Sequence, residues 1–351
     1  LKPGHARAIN QSKDDKSGVV YLDDFEGSAS SLDMRTPANK WFLSSIPHDD
    51  NGGNNPLFTL QAEADSIFSG VNRARLNWYR LFTDSGGGQQ GGEAPYTSIV
   101  PQDEVFPNKQ ITPNQLNTVR TLNLSFNPRA RGPYNYDVPN GTAFSAGVIP
   151  EGDSIRLLEP ETRWGGMMRE LQTSDFQTAN IEFLEFWMLS PFLDDGDASS
   201  AAPNAANRQG TLYINLGNVS EDVLQDSRKF FENGLPRDET DVNRRVDDTP
   251  WGLVPVNNPV APAFDNTSQG ARTNQDVGLD GLDQLGEQEK FADYLQAITN
   301  ANSTVGPKIA LDPSNDDFRY YTDPSLDNFS VTDKYKFFNN PEGNSKANSG
   351  N

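Results

Sequence analysis

Asn180-Ile-Glu-Phe-Leu-Glu-Phe-Trp-Met-Leu189, read together with Thr211-Leu-Tyr-Ile-Asn-Leu216, decides the expected fold. In the first stretch Ile181, Phe183, Glu185, Trp187 and Leu189 share one strand face, while Glu182, Leu184, Phe186 and Met188 share the other. Apart from Glu182 and Glu185 both faces are apolar, the pattern of a central strand covered on both sides. The second stretch is rich in β-forming residues. Between the two, residues 194–210 are polar or small and read as a long exposed loop. Two such strands predict the middle of a β-sandwich.

Working outward, residues 19–22 form a short apolar strand that runs into Asp23, Asp24 and Glu26. Further strands are predicted over 40–46, 73–82 and 121–126, the last with Leu122, Leu124 and Phe126 facing inward. Residues 127–140 carry Pro128, Pro133 and Pro139, which prevent regular structure. Ser220 is placed to cap a helix over 220–231. The strongest helical pattern is 282–299, with Leu285, Glu289, Ala292 and Leu295 at helical spacing and Phe291 and Ile298 beside them. Two late strands are predicted over 318–321 and 334–338. The expected architecture is mainly β: a jelly-roll-like β-sandwich with long loops and one or two inserted helices. Residues 1–18 form an arm or linker and 19–338 the sandwich module. A loop and helix insertion lies around 232–300, and 339–351 is a polar tail.

Composition narrows the chemistry. The 351 residues include 29 Gly and 24 Pro, so one core carries a great deal of loop. Basic residues number 29 against 49 acidic, a formal charge of −20, which argues against a nucleic-acid partner. That acidity suits a calcium-rich exterior. Cys is absent, which excludes disulfides, thiol catalysis and Cys-ligated zinc. The two histidines, His5 and His48, lie in polar segments, so a His-dependent triad is not expected. No run reaches the ~20 apolar residues of a membrane helix. With no initiator Met and no signal-peptide pattern, the chain is expected to be a piece of something longer.

Two acidic groups are candidate calcium sites, because calcium takes oxygen ligands from carboxylates and carbonyls. Asp23, Asp24 and Glu26 form the first, against the alternative of a solvated turn. Asp276 and Asp280, beside Gly278 and Gly281, form the second. Their spacing does not fit an EF-hand, and capping of the following helix by Asp280 or Asp283 is the competing reading. The five tryptophans offer a sugar-stacking platform, although Trp187 reads as core. Glu182 and Glu185 face opposite sides of a strand and cannot share a catalytic site. No enzymatic constellation is found. Arg163 and Arg169 bracket a Gly turn and are expected to pair with surplus carboxylates. With Trp164 and Trp251, they are also the candidates for packing against a partner.

The assembled segments resemble one family. Asp-Asp-Phe-Glu-Gly-Ser at 23–28 is followed by Arg-Trp-Gly-Gly-Met-Met-Arg at 163–169. Ala-Asn-Ile-Glu-Phe-Leu-Glu-Phe-Trp at 179–187 and Leu-Tyr-Ile-Asn-Leu-Gly-Asn-Val-Ser-Glu-Asp-Val-Leu at 212–224 are the longest pieces. Glu-Asn-Gly-Leu-Pro at 232–236, Gln-Asp-Val-Gly-Leu-Asp-Gly-Leu at 275–282 and Pro-Glu-Gly-Asn-Ser at 341–345 complete the ordered set. Together they resemble the SprA/Sov family, the giant outer-membrane translocon of the type IX secretion system, needed for gliding motility. The resemblance implies a cell outer membrane or cell-surface location and a very large β-barrel that exports folded proteins. The implied partners are the rest of that barrel, its accessory outer-membrane and periplasmic proteins, and secreted cargo. This chain is too short for the barrel and lacks its serial alternating strands. The implied role is therefore a non-catalytic soluble module. The Asp-Asp-Phe-Glu-Gly opening and the Phe-Leu-Glu-Phe-Trp strand also resemble jelly-roll carbohydrate-binding modules, which often hold a structural calcium near the opening acids. That second resemblance implies the alternative role of a glycan-binding module.

Overall fold

A computed structural model describes residues 7–8, 21–22, 32–35, 40–46, 67–79, 100–112, 117–173, 175–178, 181–190, 210–227, 246–256, 278–317, 319 and 323–329. The chain divides into two compact units, Leu1–Thr36 and Pro37–Asn351. In the first, β1 (Arg7–Ala8) pairs antiparallel with β2 (Tyr21–Leu22).

In the second unit β3 is Trp41–Leu43, β4 is Ala74–Tyr79, and a short helix α1 is Gln102–Val105. Then come β5 (Asn123–Arg131), β6 (Val148–Glu151), β7 (Ser154–Leu157) and β8 (Met167–Arg169). The last elements are β9 (Val246–Asp248), β10 (Leu253–Pro255), α2 (Gln284–Lys290), α3 (Ala292–Ala301) and α4 (Gly306–Ile309). Four strands form one sheet in the order β4-β5-β7-β6; β3 pairs with β8 and β9 with β10. Every one of these strand pairs is antiparallel, as expected of a mainly β chain.

Local chemistry explains several of these elements. Glu151 faces Ser154 across a two-residue loop, with Gly152 at φ 59° supplying the positive φ a tight hairpin favours. Pro128 sits inside β5 because the ladder with β4 is irregular there: Ala74 faces Arg131 but Arg75 faces Asn127. Residues 128–130 bulge out, and a proline without an N–H is tolerated at a bulge.

The core forms around a segment that the sequence marks as irregular. Tyr134 and Tyr136 are fully buried. Tyr136 stacks on Phe291 at 4.2 Å, meets Tyr294 edge-on at 5.6 Å and lies 6.1 Å from Trp251. Edge-to-face and offset contacts of this kind add to plain area burial. The helices join the core through Glu287, Phe291, Tyr294 and Ile298. That stripe differs from the expected 285/289/292/295 face, and Leu285 is exposed. The phase is set by α2 ending at Phe291, whose ring is held against Tyr136.

Arginines hold the irregular backbone in place. Arg163 and Asp137 form a fully buried ion pair at 2.7 Å. Arg163 also donates to the carbonyls of Leu158, Val71 and Gly147. Asp137 accepts from the Ser145 hydroxyl and the Val138 amide. Arg73 donates to the carbonyls of Pro133, Ser44 and Val223 and lies 5.3 Å over the Trp164 ring. Burial pushes the Arg73 guanidinium down to about 10.

Several expectations are overturned. Residues 181–189 and 211–216 are not central strands: they carry no strand pairing and stand exposed, Phe183 at 84% and Trp187 at 69%. Among the described residues neither stretch enters a strand ladder, 182–189 make no backbone hydrogen bond, and Trp187 meets the Phe106 ring edge-on at 6.2 Å. Leu124 and Phe126 are about half exposed and not turned inward as expected; they share a face with the buried Trp78 and with Leu76 on β4, and Gly165 lies against Leu76 and Phe126 there, so that face is covered only in part. Residues 220–227 form no helix. Asp222 instead accepts from the amides of Asp226 and Ser227, and Gln225 and Ser227 take positive φ, which helix geometry forbids. Of 318–321 only Arg319 is described, and 334–338 lies outside the described residues.

The two classes of ion pair predict different costs. Asp137→Ala leaves a buried guanidinium uncompensated and is expected to lower the unfolding free energy by roughly 3–5 kcal/mol. Asp248→Ala, which removes the solvent-facing partner of Lys290, is expected to cost less than about 1 kcal/mol. Urea denaturation of both variants checks the contrast.

Candidate metal centre

Three buried carboxylates converge beneath the aromatic core. Asp280 lies in the turn before α2, Glu287 on the inner face of α2, and Asp316 in the loop after α4. Each offers an oxygen within 4.8 Å of the other two. None is more than 3% exposed.

The turn that delivers Asp280 depends on glycine. Gly278 takes φ 69°, and a Cβ there would fall 1.8 Å from Asp316 Oδ2 and 3.0 Å from the Tyr134 hydroxyl. The Asp280 carbonyl accepts from the Leu253 amide at 2.7 Å, which ties the turn to β10. Asp283, the N-cap of α2, accepts from the Gly286 amide at 2.8 Å, so the expected cap is Asp283 and not Asp280.

Ser314 connects the three segments. Its hydroxyl donates to Asp280 Oδ2 at 2.6 Å and lies 2.9 Å from the Tyr136 hydroxyl. Its amide donates to Glu287 Oε2 at 3.0 Å. Asp280 Oδ1 accepts from the Leu282 amide, and Asp312 Oδ1 accepts from the Asp316 amide. Arg131 fixes the same loop by donating to the carbonyls of Asp312 and Pro313 and to the Tyr294 hydroxyl.

The electrostatics are those of a site short of positive charge. Burial pushes Asp280 up to about 7, with Asp312 adding repulsion against the bonds from Ser314 and Leu282. Burial, then the charge of Asp280, pushes Glu287 up to about 9. Asp316 is held well above the ordinary carboxylate range by burial, then by Asp280, Glu287 and Asp312. Tyr134 and Tyr136 are raised by burial and stay protonated. Such a group can share protons or hold a hard cation.

Of the residues expected to bind metal, Asp280 belongs to this cluster. Asp276, Asp23, Asp24 and Glu26 lie outside the described residues. Arg163, Trp164 and Trp251 are buried within this chain's own fold and are not displayed to a partner. Arg169, in β8, lies 6.0 Å over the Trp41 ring. Glu287 and Asp316 were missed. A signal for each is present: Glu287 stands on the helical stripe with Phe291, Tyr294 and Ile298, and 312–317 reads Asp-Pro-Ser-Asn-Asp-Asp.

A raised carboxyl pKa means that the folded state binds the proton more tightly than the unfolded chain does. Its contribution is most favourable below the unfolded value near 4 and is lost as pH rises toward the folded value. With Asp280 at about 7 and Glu287 at about 9, the chelated protein is expected to lose stability steadily as pH rises from about 5 to about 9. The groups facing them are Asp312, Asp316, Asp317, Tyr134 and Tyr136. Urea titrations across that range, compared with Glu287→Gln, check the slope, which the variant should reduce. Among known proteins, no family model matches this chain and no curated protein matches it.

Proposed function

We propose that this chain is a non-catalytic module of a type IX secretion outer-membrane translocon of the SprA/Sov kind, supporting export of folded proteins and gliding motility at the cell surface. The observation that carries this reading is the exposure of residues 181–189 and 211–216. Phe183, Leu184, Phe186, Met188, Leu212 and Leu216 are all at least half exposed. These stretches have strand composition, and 182–189 have no backbone ladder among the described residues. They also supply the longest pieces of the family resemblance.

Exposed backbone and contiguous apolar side chains call for a sheet and a cover from elsewhere. Each large side chain that becomes fully covered contributes ~1.5–3 kcal/mol. In this reading the remainder of the translocon supplies both, and the two segments complete the jelly-roll-like sandwich as strands. Accessory envelope proteins and secreted cargo are its further partners. The glycan-binding reading has less behind it, since Trp78, Trp164 and Trp251 are buried and the exposed Trp187 already packs edge-on against Phe106 at 6.2 Å.

The test is the double substitution Phe183→Ser with Met188→Ser. Both side chains are exposed, so the melting temperature of this chain alone is expected to stay within a degree or two of the parent sequence. In the complete translocon, at normal outer-membrane abundance, the same change is expected to abolish export of secreted cargo. Normal export would overturn the reading. Lost glycan binding with export intact would favour the carbohydrate-binding alternative.

A further inference from the structure

We propose that Asp280, Glu287 and Asp316 hold one structural calcium ion that clamps the 278–283 turn, α2 and the 312–317 loop together. This inference stands on the acidic cluster and is independent of the secretion reading.

Geometry comes first. Oxygens bound to one calcium lie about 2.3–2.6 Å from it, so no two can be farther apart than roughly 4.6–5.2 Å. The three carboxylates meet that limit from separate segments of the chain. A second observation points to a missing ligand: Asp316 Oδ2, in a side chain 3% exposed, makes no hydrogen bond of ordinary geometry, and the Tyr134 hydroxyl beside the carboxylate offsets its burial only in part. A buried carboxylate oxygen left without a donor is unfavourable unless a cation or proton supplies the contact.

Charge gives the third argument. The largest charge effects on the three acids all come from other carboxylates, and no cation enters among them. The nearby guanidinium of Arg131 is occupied by the carbonyls of Asp312, Pro313 and Asn135 and by the Tyr294 hydroxyl. The surrounding bonds also orient the ligands. Ser314 fixes one oxygen each of Asp280 and Glu287, and Asp312 holds the backbone of Asp316. The donor set is all oxygen, which selects a hard cation over zinc or copper. Calcium is favoured over magnesium because magnesium keeps several of its waters, and this site is buried among tyrosines and side-chain oxygens.

Because the site is buried, the test lets the ion enter during folding. The protein is unfolded in urea with EGTA, then refolded in EGTA or in millimolar calcium, and melted in each. The expected result is a melting temperature several degrees higher in calcium. Asp316→Asn and Glu287→Gln should lose that calcium-dependent rise. Their melting temperatures in EGTA should equal or exceed that of the parent sequence, because each removes a buried carboxyl whose charged form burial and its neighbours disfavour. A purely structural role would instead lower stability in both buffers. Asp317→Asn, at an exposed position, should keep the full rise. As a second measurement, terbium bound at the site should be sensitised by the adjacent tyrosines and displaced by calcium. Equal melting temperatures in EGTA and calcium, together with no terbium emission, would overturn the proposal. A larger rise with magnesium than with calcium would overturn the choice of ion.

Discussion

The ion pair between Arg163 and Asp137 is the constraint on which the second unit depends. Both side chains are removed from solvent, and between them they bond to Val71, Gly147, Leu158, Ser145 and Val138. These partners come from the approach to β4, the β6–β7 hairpin and the irregular run after β5. An arginine is suited to this place because its planar fork satisfies several carbonyls at once while keeping its charge. Burial pushes the Asp137 carboxyl upward, and the bonds from Ser145 and Arg163 pull against it. The pair therefore fixes geometry more than it adds net stability.

From that anchor the irregular run 131–138 becomes the spine of the core. Asn135 donates to the carbonyls of Val71 and Arg73, and its own oxygen accepts from the Asp137 amide. The Tyr134 amide donates to the Ser314 carbonyl, and its hydroxyl accepts from the Leu279 amide. Loop backbone is normally at the surface because its polar groups need water. Here side chains of Asn, Tyr and Arg take the place of water, so the run can be buried without a ladder. The same bonds carry the 312–316 loop inward and bring Asp316 against Asp280 and Glu287.

The acidic cluster and the exposed apolar segments are two opposite departures from the usual arrangement of a folded chain. One buries three carboxyls without a counter-charge, which makes their charged forms unfavourable, and the other exposes Phe183, Trp187 and their neighbours to water. Each is unfavourable as it stands, and each is relieved by something that binds: a hard cation in the first case, a sheet in the second. The charge surplus evident in the composition is thus not all solvated surface, since part of it is concentrated inside.

The sequence by itself determined the local elements. Alternation placed β4 and the start of β5, an apolar run placed β3, helical spacing together with an acidic cap placed α2 and α3, and the acidic, Cys-free composition removed whole classes of chemistry. It also marked Asp280 as a candidate ligand. It did not determine which segments are covered. Ile181–Leu189 has the pattern of a doubly buried strand, but burial requires neighbouring layers, and periodicity carries no information about whether a neighbour exists. Nor could it place Glu287 and Asp316, which are separated in the chain by two further helices. Their meeting with Asp280 depends on Ser314, Arg131 and the close approach that Gly278 allows. Those are contacts between residues distant in sequence, and only the tertiary structure decides them.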